Sequence, residues 1–233
     1  AAAAKFVPDA TFVLDIGGQD MKAIWLDGGI ITADAGVSLA RLGVFAWQHS
    51  LTGLEFAHGI PGSLGGGVVM NAGAYGGELK DVLTEVTALF PDGVRTLRGE
   101  ELALGYRRSF FTDHPEAVVL RAKLALHGGD QEAIKARMEE LSAKRRASQP
   151  LEMPSAGSTF KRPEGYFAGT LIEQCGLKGA RVGGAEVSRK HAGFVVNASG
   201  ATCADVLALI KKVQDTVFTA TGVTLEPEVK IIR

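Results

Sequence analysis

From Gly59 to Glu78 the chain reads Gly-Ile-Pro-Gly-Ser-Leu-Gly-Gly-Gly-Val-Val-Met-Asn-Ala-Gly-Ala-Tyr-Gly-Gly-Glu, a run suited to setting bare backbone against a ligand. Glycine lacks a Cβ and admits positive φ, so N–H groups around Gly59, Gly62, Gly65, Gly66 and Gly73 can converge on one anion, as a pyrophosphate-binding loop requires. Pro61 stiffens the chain after Ile60, and Ser63 and Asn71 add side-chain donors ahead of Gly73-Ala74. An isolated glycine cluster is more often a structural turn; the length and order of this one favour binding. Elsewhere, Arg107 lies between Tyr106 and Ser109-Phe110-Phe111, where its planar fork could receive a carboxylate or simply close a surface ion pair. Taken alone, Ser158 beside Gly157 is a turn hydroxyl and Glu228 a solvated carboxylate. Lys161, Lys178 and Arg181 can each pair with a phosphate or serve as ordinary surface charge.

The elements that must position these groups follow from periodicity. Val37 to Ser50 places Leu39, Leu42 and Phe45 along one side of a helix. Thr84 to Phe90 alternates Val86, Ala88 and Phe90 with polar neighbours, turns at Pro91-Asp92-Gly93 and returns to Leu97, a β-hairpin signal. Glu116 to Leu126 reads as a strand. A charged helix from Gln131 to about Ser148 follows, with Asp130 as N-cap and Ile134, Met138 and Leu141 on one face, until Pro150 and Pro154 stop it. Beyond it, Ala168 to Gly176 is helical, Ala180 to Val187 and Ala192 to Asn197 are strand-like, Ala204 to Ala220 is a second amphipathic helix, and Val229 to Ile232 is a final strand. Two α+β modules joined near Gly128 are the economical description.

The 233 residues carry a formal charge of −1 with both signs interspersed, which argues against a nucleic-acid surface. Cys175 and Cys203 lack metal or redox spacing and read as small buried apolar residues in a reducing compartment. No metal site is expected. Neither a membrane-length apolar run nor a signal peptide is visible, so the expected location is cytoplasmic.

The glycine segment also resembles the flavin-binding segment of the UDP-N-acetylenolpyruvoylglucosamine reductase (MurB) family, and four further motifs follow in that family's order. These are Tyr106-Arg107-Arg108-Ser109-Phe110, Pro154 to Lys161, Gly183 to Ser188 with Lys190-His191-Ala192, and Leu225 to Lys230. The resemblance implies an α+β fold, with a VAO-type FAD-binding domain followed by a MurB-type substrate domain. It implies FAD as cofactor and NADPH as co-substrate in reducing UDP-N-acetylglucosamine enolpyruvate to UDP-N-acetylmuramate for peptidoglycan. Arg107 is then expected beside the substrate carboxylate, Ser158 as proton donor to the enolate, and Glu228 in the active site as third catalytic residue. Gly59, Ile60, Pro61, Gly62, Ser63, Gly65, Gly66, Asn71, Gly73 and Ala74 are expected at the flavin, and Tyr106, Lys161, Lys178 and Arg181 at the substrate. Where many members carry asparagine after the Phe-Lys pair, this chain carries Arg162.

The first 29 residues stand outside the continuous resemblance. The family's first flavin-binding subdomain, with a glycine loop ending in Gly-Ser-Asn, is not recognisable before Ile30, so the FAD-binding domain reads as truncated at its N-terminus. The expected division is 1–29 as an atypical segment, 30–128 as the second FAD subdomain and 129–233 as the substrate domain. Phe12 to Ile24 resembles the phosphate element of actin-like 2-hydroxyacyl-CoA dehydratase activators, which would bind ATP through Asp15 to Asp20. A non-catalytic UDP-sugar-binding module that has lost tight FAD binding is the competing expectation. The enzyme is expected to be a monomer.

Overall fold

The computed structural model describes residues 13–15 and 23–231, which divide into two compact α+β units with the boundary between Ala143 and Lys144. In the first unit, β1 (Val13–Asp15), β2 (Ala23–Asp27) and β3 (Ile30–Asp34) form an antiparallel meander. Helix α1 (Leu39–Gln48) follows, its N-cap Ser38 accepting from the Arg41 N–H, and then come the short β4 (Leu51–Thr52) and helix α2 (Leu64–Val69). A small hairpin, β5 (Gly73–Ala74) with β6 (Gly77–Glu78), precedes the larger hairpin of β7 (Leu83–Phe90) and β8 (Gly93–Arg98). Helix α3 (Phe110–Asp113), β9 (Val118–Ala125) and β10 (His127–Gly128) complete the unit before α4 (Gln131–Ser148), which crosses the boundary.

The principal sheet has the order β1-β2-β3-β9-β7-β8, antiparallel throughout. Its buried face carries Ile24, Ile31, Val86, Ala88, Ala122 and Leu124, which cluster with Leu39, Leu42 and Phe45 of α1 and Leu64 and Val68 of α2. The expected hairpin is present: Phe90 pairs with Gly93 across Pro91-Asp92, and Val86, Ala88 and Phe90 are the buried set. Asp130 caps α4, its Oδ1 accepting from Ala133 N–H at 2.7 Å, with Ile134, Met138 and Leu141 buried.

The second unit is a four-stranded antiparallel sheet, β11 (Ser155–Ser158), β12 (Arg181–Val182), β13 (Ala185–Val187) and β14 (Phe194–Asn197), in the order β11-β14-β13-β12. Helix α5 (Ala168–Gln174) and helix α6 (Cys203–Thr221) contribute Leu171, Ile172, Leu209, Val213 and Val217 to its core. Thr202 and Asp205 form a reciprocal capping box at the start of α6, with Asp205 N–H on Thr202 Oγ1 at 3.1 Å and Thr202 N–H on Asp205 Oδ2 at 2.9 Å.

Three expectations are corrected. Ala180 to Val187 is a hairpin rather than one strand, because Gly183, at φ +51°, turns the chain where a side chain would collide with the Asp205 carboxylate. Val229 to Ile231 is not a strand; the extended pairing falls earlier, at Glu226 to Glu228 against Thr159 to Lys161. Cys203 is exposed and Cys175 half-buried: Cys203 opens α6, whose buried stripe begins at Leu209. The ATPase-like turn lies at residues 16–22, outside the described residues.

Candidate functional site

The glycine run folds in part as helix α2, with Ser63 Oγ accepting from the Gly66 N–H at 3.4 Å. Added Cβ atoms would stand 2.9 Å from Ala35 Cβ at Gly65 and 3.0 Å from Leu79 Cδ1 at Gly67, so these glycines are consumed by packing. Their N–H groups are consumed as well, Gly65 donating to Ala35 O at 2.8 Å and Gly67 to Ser63 O at 2.9 Å. The expectation that Gly65 and Gly66 present free backbone donors is thereby corrected. What stays open is the preceding turn. Pro61, Gly62 and Gly66 are exposed, a Cβ on Gly62 would meet nothing within 4 Å, and the N–H groups of Gly62 and Ser63 have no acceptor among the described residues. Two open amides without side-chain cover fit the pyrophosphate of a dinucleotide.

Asn71 is fully buried, in the left-handed region at φ +41°. Its Nδ2 donates to Glu78 Oε2 at 2.6 Å and to the Gly105 carbonyl at 3.0 Å, while its Oδ1 accepts from the Lys80 N–H at 2.9 Å. Both amide hydrogens are taken within the fold, so the expected donation from Asn71 to a pyrophosphate is corrected: no donor is left. Glu78 also forms an ion pair with Lys80, whose pKa is raised by the Glu78 hydrogen bond and charge. Gly73-Ala74 pairs with Gly77-Glu78 around Tyr75-Gly76, both at positive φ, a mirror-image turn of the kind tight hairpins use.

Arg107 occupies the tip of another turn. Gly105 and Arg108 exchange backbone hydrogen bonds of 2.9 and 3.2 Å, leaving Tyr106-Arg107 at the apex with Arg107 at φ +53°, a conformation non-glycine residues adopt at a cost. Its Nη2 donates to Gly73 O at 3.3 Å and its guanidinium lies 5.3 Å from the exposed Tyr106 ring centroid. The turn is anchored from its other side by buried Ser109, whose Oγ donates to Val69 O at 2.8 Å, a carbonyl that also receives Thr112 Oγ1 at 3.1 Å. Asn71, Gly73 and Arg107 are thus brought together. The hydrogen bond from Asn71 to Gly105, invisible in the sequence, ties the glycine segment to the arginine turn.

In the second unit, Ser158 ends a strand that carries a bulge. Ser155 pairs with Val196 and Ser158 with Phe194, so one residue is extra, and Gly157 takes φ +84°. Bulges re-aim side chains, and Ser158 is exposed while Thr159 is buried with its Oγ1 accepting from Val195 N–H at 3.0 Å. The backbone of Glu228 pairs with Thr159, its N–H donating to Thr159 O at 2.8 Å. Lys161 forms an ion pair with Glu226, Lys178 Nζ lies 2.6 Å from Glu173 Oε1, and Arg181 pairs with the buried carboxylate of Glu186, which also accepts from Arg189 Nε at 3.1 Å. Arg162 stacks 3.9 Å over Phe167.

His191 belongs to the same neighbourhood as Ser158, because Thr159 N–H donates to Gly193 O at 2.8 Å and Phe194 N–H to His191 O at 3.0 Å. Gly193 N–H donates to His191 Nδ1 at 3.1 Å, which fixes the proton of the neutral ring on Nε2. Burial pushes its pKa down, and the Lys178 charge adds to that. The sequence places His191 in a motif, but its bond to Gly193 could be read only from the folded turn.

Residues 3–97 match the family model of an FAD-binding domain, and residues 149–232 match that of the UDP-N-acetylenolpyruvoylglucosamine reductase C-terminal domain. A flavin-binding domain followed by this reductase domain defines a two-domain flavoprotein oxidoreductase. The flavin match starts at residue 3 and so takes in the segment set apart before Ile30. A UDP-N-acetylenolpyruvoylglucosamine reductase of Syntrophomonas wolfei is 54% identical over 216 residues, covering 92% of this chain and 72% of the relative. One of Agathobacter rectalis is 58% identical over 204 residues, covering 87% and 65%. The crystal structure of the Thermus caldophilus reductase superposes with a TM-score of 0.75 at 39% identity, over 84% of this chain and 70% of that one. The chain belongs to the UDP-N-acetylenolpyruvoylglucosamine reductase family. Among the described residues no helix is long and apolar enough to cross a membrane.

Proposed function

We propose that this chain reduces UDP-N-acetylglucosamine enolpyruvate to UDP-N-acetylmuramate, oxidising NADPH, as a step in peptidoglycan precursor synthesis. The observation that carries this reading is a family match extending through both units of a chain that retains Arg107, Ser158 and Glu228. FAD, when bound, supplies the relay that takes a hydride from NADPH and passes it to the β-carbon of the enolpyruvyl group.

The chain's own groups do the rest. The open amides of Gly62 and Ser63 hold the pyrophosphate without placing a charge against it, and Gly59 to Pro61, Gly66, Gly73 and Ala74 are assigned to the rest of the dinucleotide. Arg107 pairs with the substrate carboxylate, where negative charge grows as the β-carbon is reduced, so it stabilises the transition state more than the ground state. Ser158 Oγ gives its proton to the α-carbon and recovers one from solvent; an enolate carbon is basic enough for a hydroxyl in the right position to suffice. Glu228 polarises the enol. Tyr106, Lys161, Lys178 and Arg181 bind the UDP-sugar; Lys161 and Lys178 exchange exposed ion pairs of small worth for phosphate contacts, and Arg181 leaves the buried Glu186 carboxylate to Arg189. We assign flavin contacts to residues 30–128 and substrate contacts chiefly to 129–233, in a cytoplasmic monomer.

An absorption spectrum from about 300 to 550 nm, before and after adding FAD and desalting, followed by NADPH reduction and addition of the enolpyruvyl sugar, tests the reading. Retained flavin bands that bleach with NADPH and return with substrate are expected. A colourless protein that still binds the UDP-sugar would make it a binding module instead.

A further inference from the structure

The amide of Asn71 is the one fully buried polar group of the glycine segment that the proposed chemistry leaves without a task. We propose that Asn71 is a positioning residue for Arg107, acting through the Gly105 carbonyl; the inference rests on the assignment of Arg107 to the substrate carboxylate. Two contacts carry it. The Tyr106-Arg107 turn closes at Gly105, and the Gly105 carbonyl that accepts Arg108 N–H also accepts Asn71 Nδ2 at 3.0 Å. At the other end of the same arginine, Nη2 donates to the carbonyl of Gly73, two residues beyond Asn71. Asn71 thereby holds the backbone base of Arg107, while the segment that carries Asn71 supplies the acceptor of its guanidinium.

That control matters because Arg107 is held at φ +53°, where a side-chain-bearing residue persists only if its surroundings over-determine it. Ser109 on Val69 O restrains the following strand of the turn, and Asn71 on Gly105 O restrains the preceding one. Released at Gly105, the turn can relax to an ordinary φ and carry the guanidinium away from Gly73. The bond from Asn71 to Glu78 reaches the small hairpin, in which Glu78 pairs with Gly73, so it bears on the guanidinium's acceptor and not on the base of the arginine turn. A substitution that keeps the second bond and breaks the first isolates the role.

Asn71→Asp leaves an oxygen to accept from Lys80 N–H but sets acceptor against acceptor at Gly105 O and at Glu78. Adding Glu78→Gln restores a donor toward position 71 and leaves the Gly105 contact broken, which guards against a single variant that fails to fold. Two readouts are taken on wild type and both variants: trypsin cleavage after Arg107 or Arg108 without added flavin, and the separate half-reactions of the flavin-loaded protein. In the double variant, cleavage after Arg107 or Arg108 is expected to accelerate about tenfold or more while sites outside this turn are unchanged, as for local opening of one turn. Flavin retention and reduction by NADPH should hold, while reoxidation by the enolpyruvyl sugar slows about tenfold to a hundredfold, the scale of one released left-handed residue. In Asn71→Asp both defects, each taken as a ratio to wild type at the same pH, should lessen as pH falls and the introduced carboxyl regains a proton to donate. Unchanged cleavage after both arginines overturns the proposal, as does full recovery in the double variant. Parallel loss of flavin and both half-reactions would also overturn it, making Asn71 a support of the whole flavin-binding segment and not of Arg107 in particular. Absent turnover in wild type with accelerated cleavage in the variants sinks the functional reading while the restraint on Arg107 stands.

Discussion

The backbone N–H of Glu228 donates to the carbonyl of Thr159 at 2.8 Å, which registers the C-terminal carboxylate one residue from Ser158. Lys161 N–H on Glu226 O at 2.8 Å and the bridge between Phe160 and Pro227 extend the same pairing. Because these are main-chain bonds, the segment is fixed whatever the charge state of its side chains. Thr159 is the pivot: its carbonyl takes Glu228, its N–H goes to Gly193 and its hydroxyl accepts from Val195. The bulge at Ala156-Gly157 then leaves Ser158 exposed immediately before this buried anchor.

Ser158→Ala is expected to leave flavin reduction by NADPH intact and to slow reoxidation by the enolpyruvyl sugar by about 10²- to 10⁴-fold, the usual worth of a general acid. Rapid-mixing absorbance of each half-reaction decides it. Equal slowing of both would remove the assigned role. Stability should not move, since Ser158 Oγ makes no hydrogen bond among the described residues.

Arg107→Gly should trade activity for stability. Glycine takes φ +53° without the cost of a side chain, so relief of strain is worth about 1 kcal/mol or more, less the contacts the guanidinium gives up, the bond to Gly73 and the Tyr106 ring among them. A melting temperature equal to or above wild type, together with loss of substrate-dependent turnover, is the expected pair. Arg107→Lys keeps the strain and the charge but loses the fork, so it should lower turnover without stabilising. A melting temperature well below wild type for Arg107→Gly would mean the arginine is a stabilising contact, not a strained functional one.

Local chemistry made much of the fold legible. Alternation and Pro91-Asp92-Gly93 fixed the hairpin, and Asp130 with the prolines at 150 and 154 fixed both ends of α4. What escaped was non-local. A helix through Leu64-Gly65-Gly66-Gly67 runs against propensity and exists because Ala35, Leu39 and Leu79 approach too closely for any Cβ at two of its glycines. The final strand was misplaced because its partner, Thr159 to Lys161, lies far away in the sequence. Site residues could be nominated by type and motif, but the fate of the Asn71 amide could not: Glu78, Lys80 and Gly105 converge on it only after folding.

The two faces of the glycine run give opposite expectations. Gly65→Ala would force a Cβ to within 2.9 Å of Ala35 Cβ and 3.3 Å of its carbonyl, and should cost about 1–3 kcal/mol, read as a lower denaturant midpoint. Gly62→Ala meets nothing and its φ is not positive, so stability should be unchanged, but the methyl would cover the open amides and weaken flavin retention after desalting. Undiminished retention in Gly62→Ala would move the pyrophosphate away from this turn.

His191 makes the second unit sensitive to acid. Burial, the largest cause, disfavours the charged ring, with Lys178 adding to the effect and the ring's backbone hydrogen bond and Glu173 opposing it, so the folded-state pKa lies below the ordinary 6.5. Unfolded, the ring protonates near that ordinary value, so below it the unfolded chain binds more protons and stability falls as pH drops. The contribution is complete above 6.5 and is lost as pH falls from there through the lower folded value. His191→Asn can still accept from Gly193 N–H but does not titrate, so its melting temperature should decline less than that of wild type between about pH 7 and pH 5. Circular dichroism melts across that range measure it. Parallel declines in the two proteins would mean that His191 is not the source of the acid sensitivity. Glu85 would not replace it in this range: hydrogen bonds from Lys123 and Arg98 outweigh burial and hold its pKa below the ordinary 4.5, so its contribution is lost only below that value.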